Sequence, residues 1–148
     1  MTHVLEIGSV APEFALETLD GEVVDLSQLK GQVVLLDFWA TSCPPCKKEL
    51  PAIQAIYEEY GKDGLVVLTI SKDNDEAKVR SFLEEPGYTF PCALEDEAMT
   101  ESYGGGLVPY VVLIDRKGIV RYTHRGYDAG DERALISEIE NLLAETSP

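Results

Sequence analysis

A long apolar run that leads straight into a pair of cysteines is the feature that most limits how this chain can fold. Residues 33–39 read Val-Val-Leu-Leu-Asp-Phe-Trp, and four residues further on comes Cys43-Pro44-Pro45-Cys46. A near-continuous run rich in β-branched and aromatic residues predicts a strand buried on both faces, as in a parallel sheet. From residue 45 to residue 60 the apolar residues recur instead at three- and four-residue steps, which is the pattern of an amphipathic helix. The two cysteines are therefore predicted to lie where a buried strand passes into a helix.

The remaining segments extend this start into an α/β fold with a mixed central sheet and helices on both faces. One hairpin is predicted around Asp20-Gly21, a favoured turn pair, and a second joins strands over 110–114 and 119–123. The other predicted elements are a buried strand over 65–71, helices over 76–85 and 97–103, an extended piece over 90–94, and a final helix that Asp131 caps and that ends near residue 145. The 148 residues fit a single domain spanning residues 1–148.

The charge balance excludes several classes of partner. Acidic residues outnumber basic ones by 27 to 12, which gives a net charge of −15. Because such a surface repels phosphate groups, we expect no nucleic-acid partner and no binding to anionic membranes. No basic cluster precedes an apolar stretch at the start, and no apolar run reaches the length of a membrane helix. The sequence as it stands predicts a cytoplasmic protein without membrane insertion, and the cell envelope is the alternative if a leader has been removed.

The cysteine pair carries the strongest chemical signal. Cys43 would stand at the N-terminus of the helix, where free backbone N–H groups and the helix dipole favour a thiolate. Cys46 follows one turn later and is placed to attack a mixed disulfide formed on Cys43. A zinc site is the alternative, but it needs a second pair of ligands, and Cys92, His3 and His124 are scattered singles. We therefore favour a redox dithiol that needs no metal and no cofactor beyond its own disulfide.

The segment over residues 38–51, Phe-Trp-Ala-Thr-Ser-Cys-Pro-Pro-Cys-Lys-Lys-Glu-Leu-Pro, resembles the active-site segment of the thioredoxin superfamily. Within the superfamily it is most similar to the TlpA/ResA-like, redoxin-related thiol–disulfide oxidoreductases. Residues 7–14 with 29–33, Val108-Pro109, and residues 113–118 extend the resemblance over nearly the whole chain. It implies a thioredoxin-like fold that carries an N-terminal β-hairpin extension and a βα-type insertion.

The resemblance also implies a substrate-binding surface around the cysteines. Pro109 is expected to follow a cis peptide bond and to face the first cysteine, and the backbone of Val108 is expected to pair with a substrate peptide. Pro44 and Pro45, which separate the cysteines, are expected to belong to the same surface. Trp39 is expected to pack beside it, where direct substrate contact and a purely structural core position are equally compatible with the sequence.

Two acidic residues are candidates for proton transfer. Asp37 interrupts an apolar strand, so its carboxyl is expected to be buried and its pKa raised. The resemblance implies that an acid at this position exchanges a proton with the buried resolving thiol, Cys46. Glu49 lies one helical turn after Cys46, and the resemblance implies that it tunes thiol acidity. We favour Asp37 as the proton-transfer group; a solvated position on the helix face is the alternative for Glu49.

Four features depart from the family pattern or lie outside it. Ser42 stands where a second tryptophan is usual, and Tyr110 where threonine commonly follows the cis proline. The glycines at 104–106 predict a flexible approach to Pro109. Cys92 is interpreted as a small buried core residue, with a third redox thiol as the alternative.

These observations predict a protein thiol–disulfide oxidoreductase that reduces or exchanges disulfides of a protein substrate and is reduced in turn by an upstream dithiol protein. We expect a monomer, and the resemblance associates such proteins with cytochrome c maturation outside the cytoplasm. A peroxiredoxin-type thiol peroxidase is an alternative, although Leu36 and Ala40 replace the proline and threonine that its motif requires. A Cu(I)-binding chaperone is a weaker alternative, because related copper carriers use a C-x-x-x-C spacing and a histidine.

Overall fold

The computed structural model describes residues 5–104 and 106–145, so His3 and Gly105 lie outside the described residues. Two short strands, β1 (Ala15–Glu17) and β2 (Val23–Asp25), form the predicted hairpin near the start. The other strands are β3 (Val33–Trp39), β4 (Leu65–Ser71), β5 (Cys92–Leu94), β6 (Tyr110–Ile114) and β7 (Val120–Arg125). The helices are α1 (Pro44–Tyr60), α2 (Glu76–Glu84), α3 (Glu97–Tyr103) and α4 (Glu132–Ala144).

Five strands form one mixed sheet in the order β5-β4-β3-β6-β7. Strands β3, β4 and β5 run parallel, whereas β6 is antiparallel to both β3 and β7. All seven residues of the central strand β3 are buried, as its apolar run predicts. The predicted mixed sheet is confirmed, and α3, which follows β5, completes the predicted βα-type insertion.

The two faces of the sheet carry different layers. The apolar odd-numbered residues of β3 pack with residues of α1, α2 and α4. Its even-numbered residues pack with α3 and with the N-terminal hairpin, including Phe14 and Leu16. Successive side chains of a strand point to opposite faces, so this alternation divides the core into two halves and confirms helices on both faces. Among the described residues, no helix combines the length and the apolar character needed to cross a bilayer.

Several details differ from the sequence prediction. The last strand begins at Val120, because Ile119 instead makes an isolated bridge with Val10 of the N-terminal segment. Strand β5 begins at Cys92, two residues later than the predicted extended piece. The Asp131 carboxylate does not cap α4, because it accepts a hydrogen bond from the backbone N–H of Asp128 at 2.8 Å.

Candidate active site

The two cysteines lie where β3 turns into α1. Cys43 is the residue that precedes the first turn of the helix, and its Sγ accepts a hydrogen bond from the backbone N–H of Cys46 at 3.2 Å. Pro44 and Pro45 occupy the first two helical positions, where a missing N–H leaves nothing unpaired. The two sulfurs form a disulfide across a Cα–Cα distance of 5.3 Å. Cys43 is partly exposed whereas Cys46 is fully buried, so only the first sulfur is open to a partner.

Asp73, which the sequence analysis did not identify, holds the turn before the cysteines. Its carboxylate accepts hydrogen bonds from the backbone N–H and the hydroxyl of Thr41, at 2.9 and 2.7 Å, and from the Ser71 hydroxyl at 2.7 Å. Burial opposes ionisation of Asp73, but these hydrogen bonds outweigh it and lower its pKa. The proximity of Asp73 to this turn could have been predicted from the strands. Parallel strands end at the same edge of a sheet, and Asp73 follows β4 just as Thr41 follows β3.

Asp37 lies in the middle of β3 with no exposed surface. Within the described part of the chain, neither oxygen of its carboxyl has a hydrogen-bond partner. Burial, reinforced by the charge of the neighbouring Glu49, raises the pKa of Asp37 well above its usual range. The carboxyl expected to be buried is therefore buried, and its surroundings favour the protonated form.

Glu49 does not lie on the solvated face of α1, so that alternative interpretation is wrong. Its side chain is buried, with only 5% exposed, and burial raises its pKa to about 7. Residues 46, 49, 53, 56 and 60 follow one another at three- and four-residue steps and are all buried. The burial of Glu49 could have been predicted from this spacing, which places it near the middle of the buried stripe.

A row of side chains crosses all five strands at the level of Asp37. Asp37 pairs with Thr69 of β4, which pairs with Cys92 of β5. On the other side Asp37 pairs with Val111 of β6, which pairs with His124 of β7. Paired residues of neighbouring strands point to the same face, so this row lies under α1 and α4. One strand separates the acid on the central strand from a thiol on one side, and one strand separates it from an imidazole on the other.

Cys92 forms no disulfide and is buried in the same apolar cluster as Cys46. Burial raises the pKa of its thiol to about 11, so it is protonated near neutral pH. Since the thiolate is the reactive form, this position suits a core residue and not a third redox thiol.

Trp39 is fully buried, and its ring packs against Phe82 with the ring centroids 5.3 Å apart. It shares the apolar cluster of Cys46. In the disulfide-bonded structure it offers no surface to a substrate, which favours a core position over direct contact.

The loop before β6 supplies the second candidate surface. The peptide bond between Val108 and Pro109 is cis, which confirms that expectation. Leu107 is 76% exposed, and Pro109 is buried. Tyr110, in place of the usual threonine, lies under the guanidinium of Arg125 at 3.9 Å from the ring centroid. Arg125 also donates to the carbonyl of Leu107 at 3.4 Å, so this stacked pair supports the loop from β7.

The described residues contain no cluster of three or more histidine, cysteine or acidic side chains arranged to hold a metal ion. The chemical groups assembled at the site are a disulfide-bonded cysteine pair and a pair of buried carboxyls.

The sheet order, the cysteine pair at the start of α1 and the cis proline before β6 define a thioredoxin-like protein with a redox-active disulfide. The sequence profile of the Redoxin family matches residues 6–143, and the chain belongs to that family. This confirms the resemblance to the TlpA/ResA-like branch of the thioredoxin superfamily.

Individual relatives agree with this placement. The chain is 36% identical over 125 residues to the thioredoxin-like protein YneN of Bacillus subtilis (strain 168), covering 82% of this chain and 73% of the relative. It is 31% identical over 137 residues to the thiol-disulfide oxidoreductase ResA of Halalkalibacterium halodurans, covering 92% and 76%.

Solved structures give the same result. A candidate thiol:disulfide interchange protein DsbE from Chlorobium tepidum superposes with a TM-score of 0.87 at 34% identity, over 95% of this chain and 99% of that chain. StoA from Bacillus subtilis superposes with a TM-score of 0.72 at 30% identity, over 86% and 96%.

Proposed function

We propose that this protein is a thiol–disulfide oxidoreductase that reduces or exchanges disulfides of other proteins through the couple Cys43/Cys46. One observation carries the proposal: a partly exposed sulfur at a helix N-terminus is bonded to a fully buried one, and buried Glu49 follows that buried sulfur by one helical turn and interacts with buried Asp37. An open sulfur can meet a partner, whereas a buried sulfur can only resolve the adduct. Relatives named as thiol-disulfide oxidoreductases support the same activity.

In the reduced protein, the Cys43 thiolate attacks one sulfur of a substrate disulfide. The other substrate sulfur leaves as a thiolate and takes up a proton, and a mixed disulfide remains on Cys43. Cys46 then loses its proton and attacks the Cys43 sulfur, which releases the second substrate thiolate. Two electrons have passed from the protein dithiol to the substrate, and an upstream dithiol protein restores the reduced pair.

The two buried carboxyls supply the base for the second step. In a buried thiol the neutral form is favoured, so its deprotonation needs an acceptor nearby. Burial and the charge of Glu49 raise the pKa of Asp37, which makes its carboxylate a better proton acceptor than an exposed one. The ionised form of Asp37 acts as the acceptor, and Glu49, through its charge, sets how readily Asp37 holds the proton.

The substrate-binding surface of this proposal consists of Pro44 and Pro45 beside the reactive sulfur and of the backbone of Val108 next to Pro109. Both prolines between the cysteines are exposed. A cis proline presents no N–H of its own, so the adjacent backbone is open to pairing with an extended peptide. The working unit is a monomer that forms one domain over residues 1–148.

Replacement of the reactive cysteine tests the activity. Cys43→Ala is expected to abolish the reduction of insulin disulfides while the protein stays folded. Cys92→Ala is the matched control and should retain activity, because that thiol lies in the core. Insulin reduction that persists in Cys43→Ala would overturn the proposal.

Trapping of partners tests the order of attack. Cys46→Ala keeps the attacking sulfur and removes the resolving one, so mixed disulfides should accumulate on Cys43. Non-reducing gels and mass spectrometry detect these adducts. Adducts that form on Cys46 in Cys43→Ala, and not in Cys46→Ala, would reverse the two roles.

A further inference from the structure

A cavity of about 60 Å³ lies against Glu49, which together with Asp37 forms the buried acid pair. Glu49 of α1 forms part of its wall, and β6, β7 and the start of α4 form the rest, including Val111, His124 and Leu135. Both apolar and polar groups line this space, and its volume is sufficient for water molecules. The cavity therefore joins Glu49 to the region where His124 lies.

A proton that the acid pair accepts from Cys46 must later leave the protein interior. Asp37 has no exposed surface and has no hydrogen-bond partner in the described part of the chain. Glu49 is also buried, but it lines the cavity, so the way out begins at its carboxyl. A buried acid that must change protonation in each cycle needs such a connection, because the charged form is costly to retain inside.

His124 is the group on the opposite side of this path. It lies on the same row of the sheet as Asp37, with Val111 between them. Its Nε2 lies 2.6 Å from Oε1 of Glu138 on α4, and its side chain is 37% exposed. When the ring carries a proton, its charge opposes the increase in the pKa of Glu49 that burial causes. The imidazole thus reaches both the acid pair, electrostatically, and the solvent.

The other charged groups around the cavity are committed to different contacts. The Tyr127 hydroxyl donates to Glu132 at 2.7 Å; burial and this bond raise the pKa of Tyr127 to about 12, whereas the pKa of Glu132 is lowered. Asp131 accepts from the backbone, and Arg125 stacks on an aromatic ring. The carboxylates of Asp131 and Glu132 raise the pKa of Glu49. Among these groups, imidazole is the type that most readily exchanges protons near neutral pH.

We propose that His124, oriented by Glu138, relays protons between solvent and the buried acid pair through this cavity during attack by Cys46. The inference rests on the proposed function. When Cys46 attacks, its proton passes to Asp37 and Glu49, then through water in the cavity to the imidazole and out to solvent. In the reverse reaction the same groups return a proton to the Cys46 thiolate. His124 does not touch the reacting sulfurs, so it is a positioning and relay residue.

A single-turnover reaction with a coloured aromatic disulfide tests the relay in the full-length reduced protein. The first thiolate release reports attack by Cys43, and the second reports attack by Cys46. His124→Gln is expected to leave the first release unchanged and to slow the second about tenfold near neutral pH. Imidazole in the buffer should restore the second release as its concentration increases. An unchanged second release in His124→Gln would overturn the relay.

Matched variants separate proton transfer from charge and from folding. His124→Lys retains a positive charge but not the imidazole, so it should be as slow as His124→Gln; a normal rate would overturn the relay. Glu138→Gln should alter the pH profile of the second release. Glu140→Gln on the same helix, which replaces the carboxylate that accepts from the Tyr60 hydroxyl by a neutral amide, should not. If His124→Gln does not fold, the pH profile of the second release in Glu138→Gln decides. A profile equal to that of the wild type would overturn the relay. Absence of both releases in the wild type would instead contradict the proposed function.

Discussion

Two aspartates are buried in the same sheet, and their surroundings are opposite. Asp115, which follows β6, is 6% exposed and accepts hydrogen bonds from the backbone N–H groups of Lys117 and Ile119, at 2.9 and 3.0 Å. The guanidinium of Arg121 adds a third at 3.0 Å. Asp37, in the middle of β3, has no such partner within the described residues. The carboxylate of Asp115 is therefore stabilised by hydrogen bonds, whereas no hydrogen bond offsets the cost of burying a charge at Asp37.

The pKa values follow from this difference. At Asp115 burial opposes ionisation, but the hydrogen bonds from Ile119, Arg121 and Lys117 outweigh it and lower the pKa. At Asp37 burial has the largest effect, and it and the interactions with Glu49 all raise the pKa. A satisfied carboxylate strengthens a turn, whereas an unsatisfied one reduces stability and is ready to accept a proton. The contrast supports a structural role for Asp115 and the proposed chemical role of Asp37.

The largest expected effect concerns Asp115. Asp115→Ala removes the acceptor of two turn amides and of Arg121, so the free energy of unfolding should fall by about 3 kcal/mol. The loss should be complete above the pKa of an unfolded aspartate, about 3.9, and shrink as the pH falls through the lowered folded-state pKa. Urea denaturation at several pH values measures it. A loss that stays constant down to acid pH would contradict the ionised role of Asp115.

A smaller effect of opposite sign is expected at Asp37. Because its folded-state pKa is raised, the wild-type protein loses stability as the pH rises from the unfolded value through the folded one. Asp37→Asn removes this loss. Near neutral pH its free energy of unfolding should therefore be about 2 kcal/mol larger than that of the wild type. The gain should vanish near the pKa of an unfolded aspartate. If the substitution lowers stability at neutral pH, Asp37 is not an uncompensated acid.

Glu49→Gln should produce a smaller change in the same direction. Removing the Glu49 charge lowers the pKa of Asp37, so the transition in the pH–rate profile of disulfide exchange should move to lower pH. The free energy of unfolding near neutral pH should rise by about 1 kcal/mol, since a buried carboxyl has been neutralised. Glu59→Gln, on the exposed face of α1, is the control and should change neither quantity. Equal behaviour of the two variants would remove Glu49 from the acid pair.

The smallest effect is expected at Arg121, whose side chain is 33% exposed. Arg121→Ala should lower the free energy of unfolding by about 1 kcal/mol or less, because a partly exposed ion pair is screened by solvent. Comparison with Asp115→Ala by denaturation separates the guanidinium from the turn amides. If the two variants lose the same stability, the ion pair and not the turn holds Asp115.

The sequence allowed the strands and the cysteine turn to be predicted, because each depends on a local pattern, whereas the cis proline was expected from the resemblance to the thioredoxin superfamily. The burial of Asp37 was also predictable, since one acid interrupts an apolar run. A solvent-exposed position was kept as the alternative for Glu49, because its neighbours in sequence are charged. Its spacing from Cys46 and Ile53 nevertheless places it on the buried stripe. Asp73 and His124 reach the site through strand order and register, which depend on contacts between distant segments.

The most direct test of this account compares the pH dependence of insulin disulfide reduction in the wild type, Asp37→Asn and Asp115→Asn. Asp37→Asn is expected to be about tenfold slower near neutral pH and to lose the transition in its profile, since the proposed proton acceptor for Cys46 is gone. Asp115→Asn, measured where it is folded, should keep the wild-type rate and profile. A wild-type profile in Asp37→Asn would contradict the assignment of proton transfer to the unsatisfied aspartate.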